Sequence, residues 1–225
     1  MKVILFGASG MVGQGVLREC LASADVESVL VIGRTSSGTT HPKVRELVRA
    51  DLYEYSDIAT DLEGHDACFF CLGASSSGMT EPEYHRVTYE LTLAAAKALL
   101  ARNPDMTFCY VSGEGTDASE QGRSMWARVK GKTENALLGL GFRHAHMFRP
   151  GYIQPLDGIK SKTRSYRIMY AVMSPLYPVW KTLFPKHVTT TRNVGMAMIR
   201  VALGAHEVPV LANPDINALA ERPVA

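Results

Sequence analysis

Short apolar runs rich in β-branched residues recur along the chain at 2–6, 28–32, 67–72, 106–111 and 145–148, with a weaker run at 44–48. Between them, apolar positions fall at helical spacing, which predicts helices over roughly 11–23, 83–102, 121–139 and 193–204. Asn103-Pro104 closes the second of these and Gly139 to Gly141 the third. A strand that is apolar on both faces has to be covered on both. Right-handed crossovers between such strands wind helices onto the two sides of a parallel sheet. The expected fold is therefore α/β, a doubly wound parallel sheet of Rossmann type. It forms one domain over residues 1–225, with a small C-terminal helical lid at 154–192. Two polar loops, "TSSGTTH" at 35–41 and "GASSSGMT" at 73–80, each follow a strand directly. In open α/β sheets that carboxyl edge is where ligands sit.

Composition narrows the class. The 225 residues are 46% hydrophobic and 20% charged, ordinary globular usage. The apolar residues between Lys2 and Gly7 are too few for the apolar region of a signal peptide. The most apolar later stretch, 168–184, is interrupted by Pro175, Pro178 and Lys181, so it lacks the roughly 20 uninterrupted residues of a spanning helix. Cys20, Cys68, Cys71 and Cys109 are spread through helix and strands, the usage of reduced thiols in a cytoplasmic protein. Cys68 and Cys71 form a C-x-x-C, but positions i and i+3 of a strand face opposite sides of the sheet, so both cannot reach one metal. His144 and His146 share a face without a third ligand nearby, and no metal is expected.

The chemistry begins at "GASGMVGQG", residues 7–15, directly after the first strand. Gly7, Gly10 and Gly13 give G-x-x-G-x-x-G. The first allows the tight turn, the second lets backbone approach a pyrophosphate, and the third allows close helix–strand contact. Val12, Val16 and Leu17 mark the helix that follows as amphipathic. Gly7, Ser9, Gly10, Met11, Val12 and Gly13 are thus the expected dinucleotide-binding set. A site for NAD normally carries an acid about 20 residues on, at the end of the second strand. Here "VLVIGRTSSG" has none, and Arg34 stands where a 2′-phosphate would lie, with Ser36 and Ser37 as further donors. NADP is expected ahead of NAD.

On "GASGMVG" at 7–13, "GR" at 33–34, "FFCLG" at 69–73, "YVSGEG" at 110–115, "VKGKTE" at 129–134 and "FRPGYI" at 148–153, the chain resembles the atypical short-chain dehydrogenase/reductase family, above all its small Tat-interacting-protein-like and NmrA-like members. The resemblance implies that Asp51 and Leu52 approach the adenine and that Leu72 and Gly73 line a ribose. It also implies that Ser112 is the serine after the fifth strand, that Lys130 bonds the nicotinamide ribose, and that Pro150 and Gly151 lie beside the nicotinamide. In the usual chemistry of the family a tyrosine protonates the substrate carbonyl, with its pKa lowered by the nearby lysine. Four residues before Lys130 stands Trp126, whose indole N–H donates a hydrogen bond but gives up no proton at neutral pH. Ser112 and Lys130 remain as catalytic candidates. Tyr84, Tyr89, Tyr110, Tyr152 and His85 are candidate replacements for the phenol, Tyr152 being best placed.

Charge is uneven. Residues 1–135 carry 13 basic and 18 acidic side chains, and residues 136–225 carry 11 and 4. The lid holds Lys160, Lys162, Arg164 and Arg167, followed by an aromatic and methionine-rich run. Such a segment can close an apolar pocket over a small-molecule substrate, pack against a second subunit as a homodimer, or lie peripherally on a membrane. Pocket closure is the first expectation and membrane contact the last. No motif points to nucleic acid. Two readings stay open: an NADP-dependent oxidoreductase or isomerase acting on a small, largely apolar carbonyl compound, and a non-catalytic NADP-binding regulator.

Overall fold

The computed structural model describes residues 1–159, 177–204 and 208–222. In chain order its strands are β1 (Lys2–Phe6), β2 (Ser28–Gly33), β3 (Val44–Val48), β4 (Ala67–Phe70), β5 (Thr107–Val111), β6 (His144–Arg149), β7 (Tyr152–Gln154), β8 (Val188–Thr190) and β9 (Val210–Ala212). Seven of them form a sheet in the order β3-β2-β1-β4-β5-β6-β9, with every neighbouring pair parallel. The chain starts at the centre, runs outward to β3, returns to β4 and continues outward the other way. The doubly wound expectation holds.

The helices are α1 (Met11–Ala22), α2 (Glu81–His85), α3 (Leu91–Leu100), α4 (Met125–Leu138), α5 (Tyr177–Leu183), α6 (Thr191–Ala202) and α7 (Asn213–Glu221). Alternation along β1 sorts them into two layers. Val3 and Leu5 share one core with Val16 and Leu17 of α1 and Val194 and Met198 of α6. Ile4 and Phe6 share the other with Leu91, Ala95 and Leu99 of α3 and Leu137 of α4. Burying one such side chain is worth about 1.5–3 kcal/mol, so a one-residue slip of β1, which would exchange the two faces, is strongly disfavoured.

Two glycines bring α1 and α6 into close contact. A Cβ on Gly15 would lie 2.5 Å from Thr191 Cβ, and one on Gly195 would lie 3.1 Å from Val16 Cα.

Boundaries moved where local polar chemistry intervened. The second helix starts earlier than the apolar pattern predicts, because Thr80 and Glu83 form a capping box ahead of α2. A π-helical turn, Arg86–Glu90, then leads into α3. The third starts at Met125, not at 121. The Asp117 carboxylate accepts from Ser119 N at 3.0 Å and Gly122 N at 2.6 Å, and so holds that stretch as a loop. Cys68 joins the core beside α3 and Cys71 the core beside α1, which is the opposite-face placement expected of i and i+3.

β7, β8 and β9, the 3₁₀ turn Ser56–Leu62 and α7 were not anticipated, whereas α5 falls within the segment expected as a helical lid. Three-residue strands show no readable period. β7 and β8 pair in parallel as a separate small sheet. Lys160, Lys162, Arg164, Arg167 and the apolar run from Ile168 to Ser174 lie outside the described residues. Among the described residues no helix is long and apolar enough to cross a membrane.

Candidate functional site

The glycine loop joins β1 to α1 at the carboxyl edge of the central strand. Gly7 has φ +82°, and a Cβ there would lie 2.6 Å from Leu72 N and 2.7 Å from Cys71 C, so side-chain-free backbone is required on both counts. A Cβ on Gly13 would run into the Gly7 carbonyl. Gly10 caps α1 with extended backbone and gives its N–H to Gly7 O at 2.9 Å. Beyond it, the amides of Met11, Val12 and Gly13 have no intrahelical acceptor, no side chain caps the helix, and its first turn holds no acid. These donors, backed by the helix dipole, form an anion cradle that fits a dinucleotide pyrophosphate. The Ser9 hydroxyl lies 3.4 Å from Thr35 Oγ1 and ties the cradle to the loop after β2.

That loop begins with Arg34, which is exposed and makes no hydrogen bond or ion pair with the described residues. Its neighbours are not free. Glu46, reaching across from β3, accepts from Ser36 Oγ at 2.6 Å, from Ser37 N at 2.9 Å and from the Ser37 hydroxyl. Partial burial pushes the Glu46 carboxyl up, but these hydrogen bonds outweigh it and hold the group below the usual range. The two serines read as phosphate donors are thus engaged by a carboxylate. After β3, Asp51 is exposed and its carboxylate accepts from Tyr53 N at 2.7 Å, whereas the Leu52 side chain belongs to the core. After β4, Leu72 lies against Gly7, and Gly73 has open space around it.

On the other half of the edge, Trp126, Lys130 and Glu134 follow one another at four-residue spacing along one stripe of α4. The indole lies over the loop after β5, with Cη2 3.4 Å from the Cβ position of Gly115. Its N–H finds no acceptor among the described residues. The Lys130 ammonium donates to Ser112 O and reaches Val111 O at 3.4 Å, with the Tyr110 ring centroid 5.9 Å away. Burial drives its pKa down to about 8, opposed by the Glu134 charge. Glu134, with 1% of its side chain exposed, receives the Arg149 guanidinium at 2.5 Å and 3.1 Å. The structure thus brings Ser112 and Lys130 together. The Ser112 hydroxyl, however, donates to Phe148 O at 3.0 Å, so its one proton is used inside the protein.

Pro150 and Gly151 follow β6. Gly151 N donates to Asn213 Oδ1 at 3.1 Å, and Pro150 O accepts from Glu114 N at 2.9 Å. Of the candidate phenols, Tyr84 and Tyr110 are buried, and burial raises the Tyr110 pKa far above the phenol range. Tyr152 bonds Gln154 Oε1 at 3.0 Å. His85 stacks on Tyr89, with 4.6 Å between ring centroids, and pairs with Glu90 at 3.3 Å. Burial lifts all four thiols, Cys20 to about 12. Sequence reading missed Glu46, whose partners lie on a neighbouring loop. It also missed a carboxylate–imidazole pair beside Gly151, Glu114 with His187 at 2.5 Å. Glu114 stands inside the quoted "YVSGEG", but nothing in the sequence links it to residue 187.

Over 155 residues the chain is 29% identical to Protein HTATIP2 of Rattus norvegicus, a match that takes in 68% of this chain and 62% of the rat protein. It is 28% identical over 163 residues to the mitochondrial Protein FMP52-2 of Scheffersomyces stipitis, covering 72% of this chain and 69% of that protein. The match to the rat protein thus takes in less than two thirds of that protein's length. Among solved structures, the UDP-N-acetylglucosamine 4-epimerase of Methanobrevibacter ruminantium superposes with a TM-score of 0.70 at 16% identity, over 98% of this chain and 80% of that one. The short-chain dehydrogenase/reductase YIR035C of Saccharomyces cerevisiae superposes at 0.64 and 14%, over 98% of each chain. At those identities the likeness is one of fold. The NAD(P)H-binding family profile matches residues 7–133, from the first glycine of the cradle to the turn of α4 that carries Lys130, and the chain belongs to that family.

Proposed function

We propose that this protein is an NADP(H)-dependent oxidoreductase acting on a small, largely apolar carbonyl compound. One observation carries the reading: a half-buried lysine, Lys130, sits beside Ser112 at the carboxyl edge of the sheet, on the same edge as an uncapped helix terminus that fits a pyrophosphate. Lys130 would hold the ribose next to the nicotinamide, and its ammonium, still protonated below a pKa lowered to about 8, would be available to a developing oxyanion. The first-turn amides of α1 would hold the pyrophosphate and Arg34 the 2′-phosphate. Asp51 and the Leu52 backbone would meet the adenine, Leu72 and Gly73 a ribose, and Pro150 and Gly151 the nicotinamide ring. When bound, the reduced nicotinamide supplies hydride to a carbonyl carbon.

The test is turnover of NADPH with a panel of carbonyl compounds, abolished in Lys130→Ala while NADPH still binds. NADPH should bind at least about tenfold more tightly than NADH, or about 1.4 kcal/mol. Arg34→Ala should flatten that preference, and equal affinities in the unmutated protein would remove the NADP assignment.

A second reading has its own support. The Ser112 proton is engaged by Phe148 O and residue 126 offers no acidic proton, a pattern that suits a nucleotide-binding regulator. Tight NADPH binding without turnover on any panel member, together with partner affinity that depends on nucleotide, would favour it. The 154–192 segment would then present a surface to a second subunit or another partner. Its four free and mostly buried thiols suit a reducing compartment, and the cytoplasm is the one we propose. Recovery from the mitochondrial fraction, the location in the name of the fungal relative, would overturn that placement.

A further inference from the structure

The family chemistry needs a proton for the carbonyl oxygen, and residue 126 cannot give one. We propose that His187, held by Glu114, is the proton donor of this site. The inference rests on the oxidoreductase reading above.

The pair lies where such a donor is needed. His187 ends the 3₁₀ turn Pro185–His187, and the register Tyr152↔Val188 between β7 and β8 sets it opposite Gly151. Its Nδ1 lies 2.5 Å from Glu114 Oε1. A Cβ on Gly151 would run into His187 O and would lie 2.6 Å from Glu114 Oε2, so glycine is what lets the three meet. Glu114 in turn is fixed by its backbone N–H to Pro150 O at 2.9 Å, and the next residue, Gly115, lies under the Trp126 ring. The imidazole therefore stands at the junction of the loops after β5 and β6, paired with the residue that precedes the Gly115 covered by the Trp126 ring. Its side chain is 60% exposed, within reach of a ligand on that edge.

The chemistry follows from the pairing. With Nδ1–H given to a carboxylate, His187 in its protonated form presents its remaining proton on Nε2, and Glu114 fixes the orientation of the ring. As hydride from a reduced nicotinamide forms the new C–H bond, the carbonyl π pair moves to oxygen, and that oxygen takes the Nε2 proton. An alcohol, an oxidised nicotinamide and a neutral imidazole result, and water restores the proton. Oxidation of the alcohol runs the same steps in reverse. Glu114 is a positioning residue.

The experiment uses the full chain with a carbonyl compound that it reduces. His187→Gln should lower kcat about 10²- to 10³-fold, within the range of general acid catalysis, with the NADPH Kd unchanged. Placing the phenol back, in Trp126→Tyr/His187→Gln, should recover at least tenfold, which loss of a structural latch would not allow. Glu114→Gln should lower kcat with little change in KM, and Glu114→Asp should restore part of it. Independently of turnover, diethyl pyrocarbonate labelling of His187, read by peptide mass, should slow at least about fivefold when NADPH saturates the unmutated protein. Undiminished kcat in His187→Gln, or labelling indifferent to NADPH, overturns the assignment while leaving the oxidoreductase reading in place. An unmutated protein that reduces no carbonyl overturns both.

Discussion

Replacing Lys130 by methionine should make the protein more stable at neutral pH, and the gain should reverse in alkali. Lys130 is held at the sheet edge with its pKa pushed from 10.5 to about 8 by burial, the Glu134 charge only partly opposing. At 1.36 kcal/mol for each pH unit, keeping the charged form in the folded protein costs about 3 kcal/mol. That figure is an upper bound, because the side chain is half-buried and water still reaches it. Methionine of similar length removes the cost but leaves Ser112 O without its donor, a loss of about 1–2 kcal/mol. The expected net gain at pH 7 is about 1–2 kcal/mol.

The pH dependence separates this cause from mere repacking. Below pH 8 the lysine holds its proton in both the folded and the unfolded chain. Between about 8 and 10.5 only the unfolded chain keeps it, so stability of the unmutated protein rises with pH relative to the variant. The advantage of Lys130→Met should therefore shrink by up to about 3 kcal/mol over that interval and change sign. Urea unfolding of both proteins without nucleotide, from pH 7 to pH 10, measures the difference and cancels every other titrating group. A difference that stays constant with pH, or a variant less stable at pH 7, would refute the argument. A stabilised but inactive variant would be an ordinary outcome for a residue kept for function.

Three further outcomes are expected. Gly13→Ala should push the first turn of α1 off the Gly7 carbonyl and weaken NADPH at least about 100-fold by equilibrium titration, a drop of about 2.7 kcal/mol. Glu46→Ala releases Ser36 and Ser37 and removes a like charge worth about 1 kcal/mol at about 4 Å in water. It should tighten NADPH several-fold with NADH unchanged, and equal effects on both would mean that Glu46 does not lie beside the 2′-phosphate. With Trp180→Phe leaving Trp126 as the sole indole, saturating NADPH should quench its fluorescence, and a constant signal would place the ring away from the nucleotide.

Features that rest on repeated burial were legible in the sequence. The alternation of β1, the five companion apolar runs and the three glycines each have a period or a fixed spacing, and each maps onto an observed element. The Thr80–Glu83 capping box could also have been read, since its spacing is local. Interactions set by tertiary approach could not. Glu46 reaches Ser36 and Ser37 because β2 and β3 pair side by side. His187 reaches Glu114 across 73 residues through the β7–β8 pair, whose three-residue strands are too short to announce themselves. Ser112 and Lys130 were named from motifs, but the Lys130 bond to Ser112 O and the use of the Ser112 proton by Phe148 O both depend on backbone carbonyls that no motif records.

The β7–β8 pairing has a further consequence for how this chain can change. It clamps Gln154 and Val188 at the base of everything between them, while the run after β8 is anchored by the Gly15–Thr191 contact to the helix that begins at the nucleotide cradle. His187 immediately precedes β8 and Thr191 immediately follows it, so this one short strand stands between the Glu114 pair and the cradle helix. Substitutions along Val188–Thr191 should therefore be felt at both halves of the edge, whereas the same changes on the outer strand β3 should be felt only beside the loop after β2.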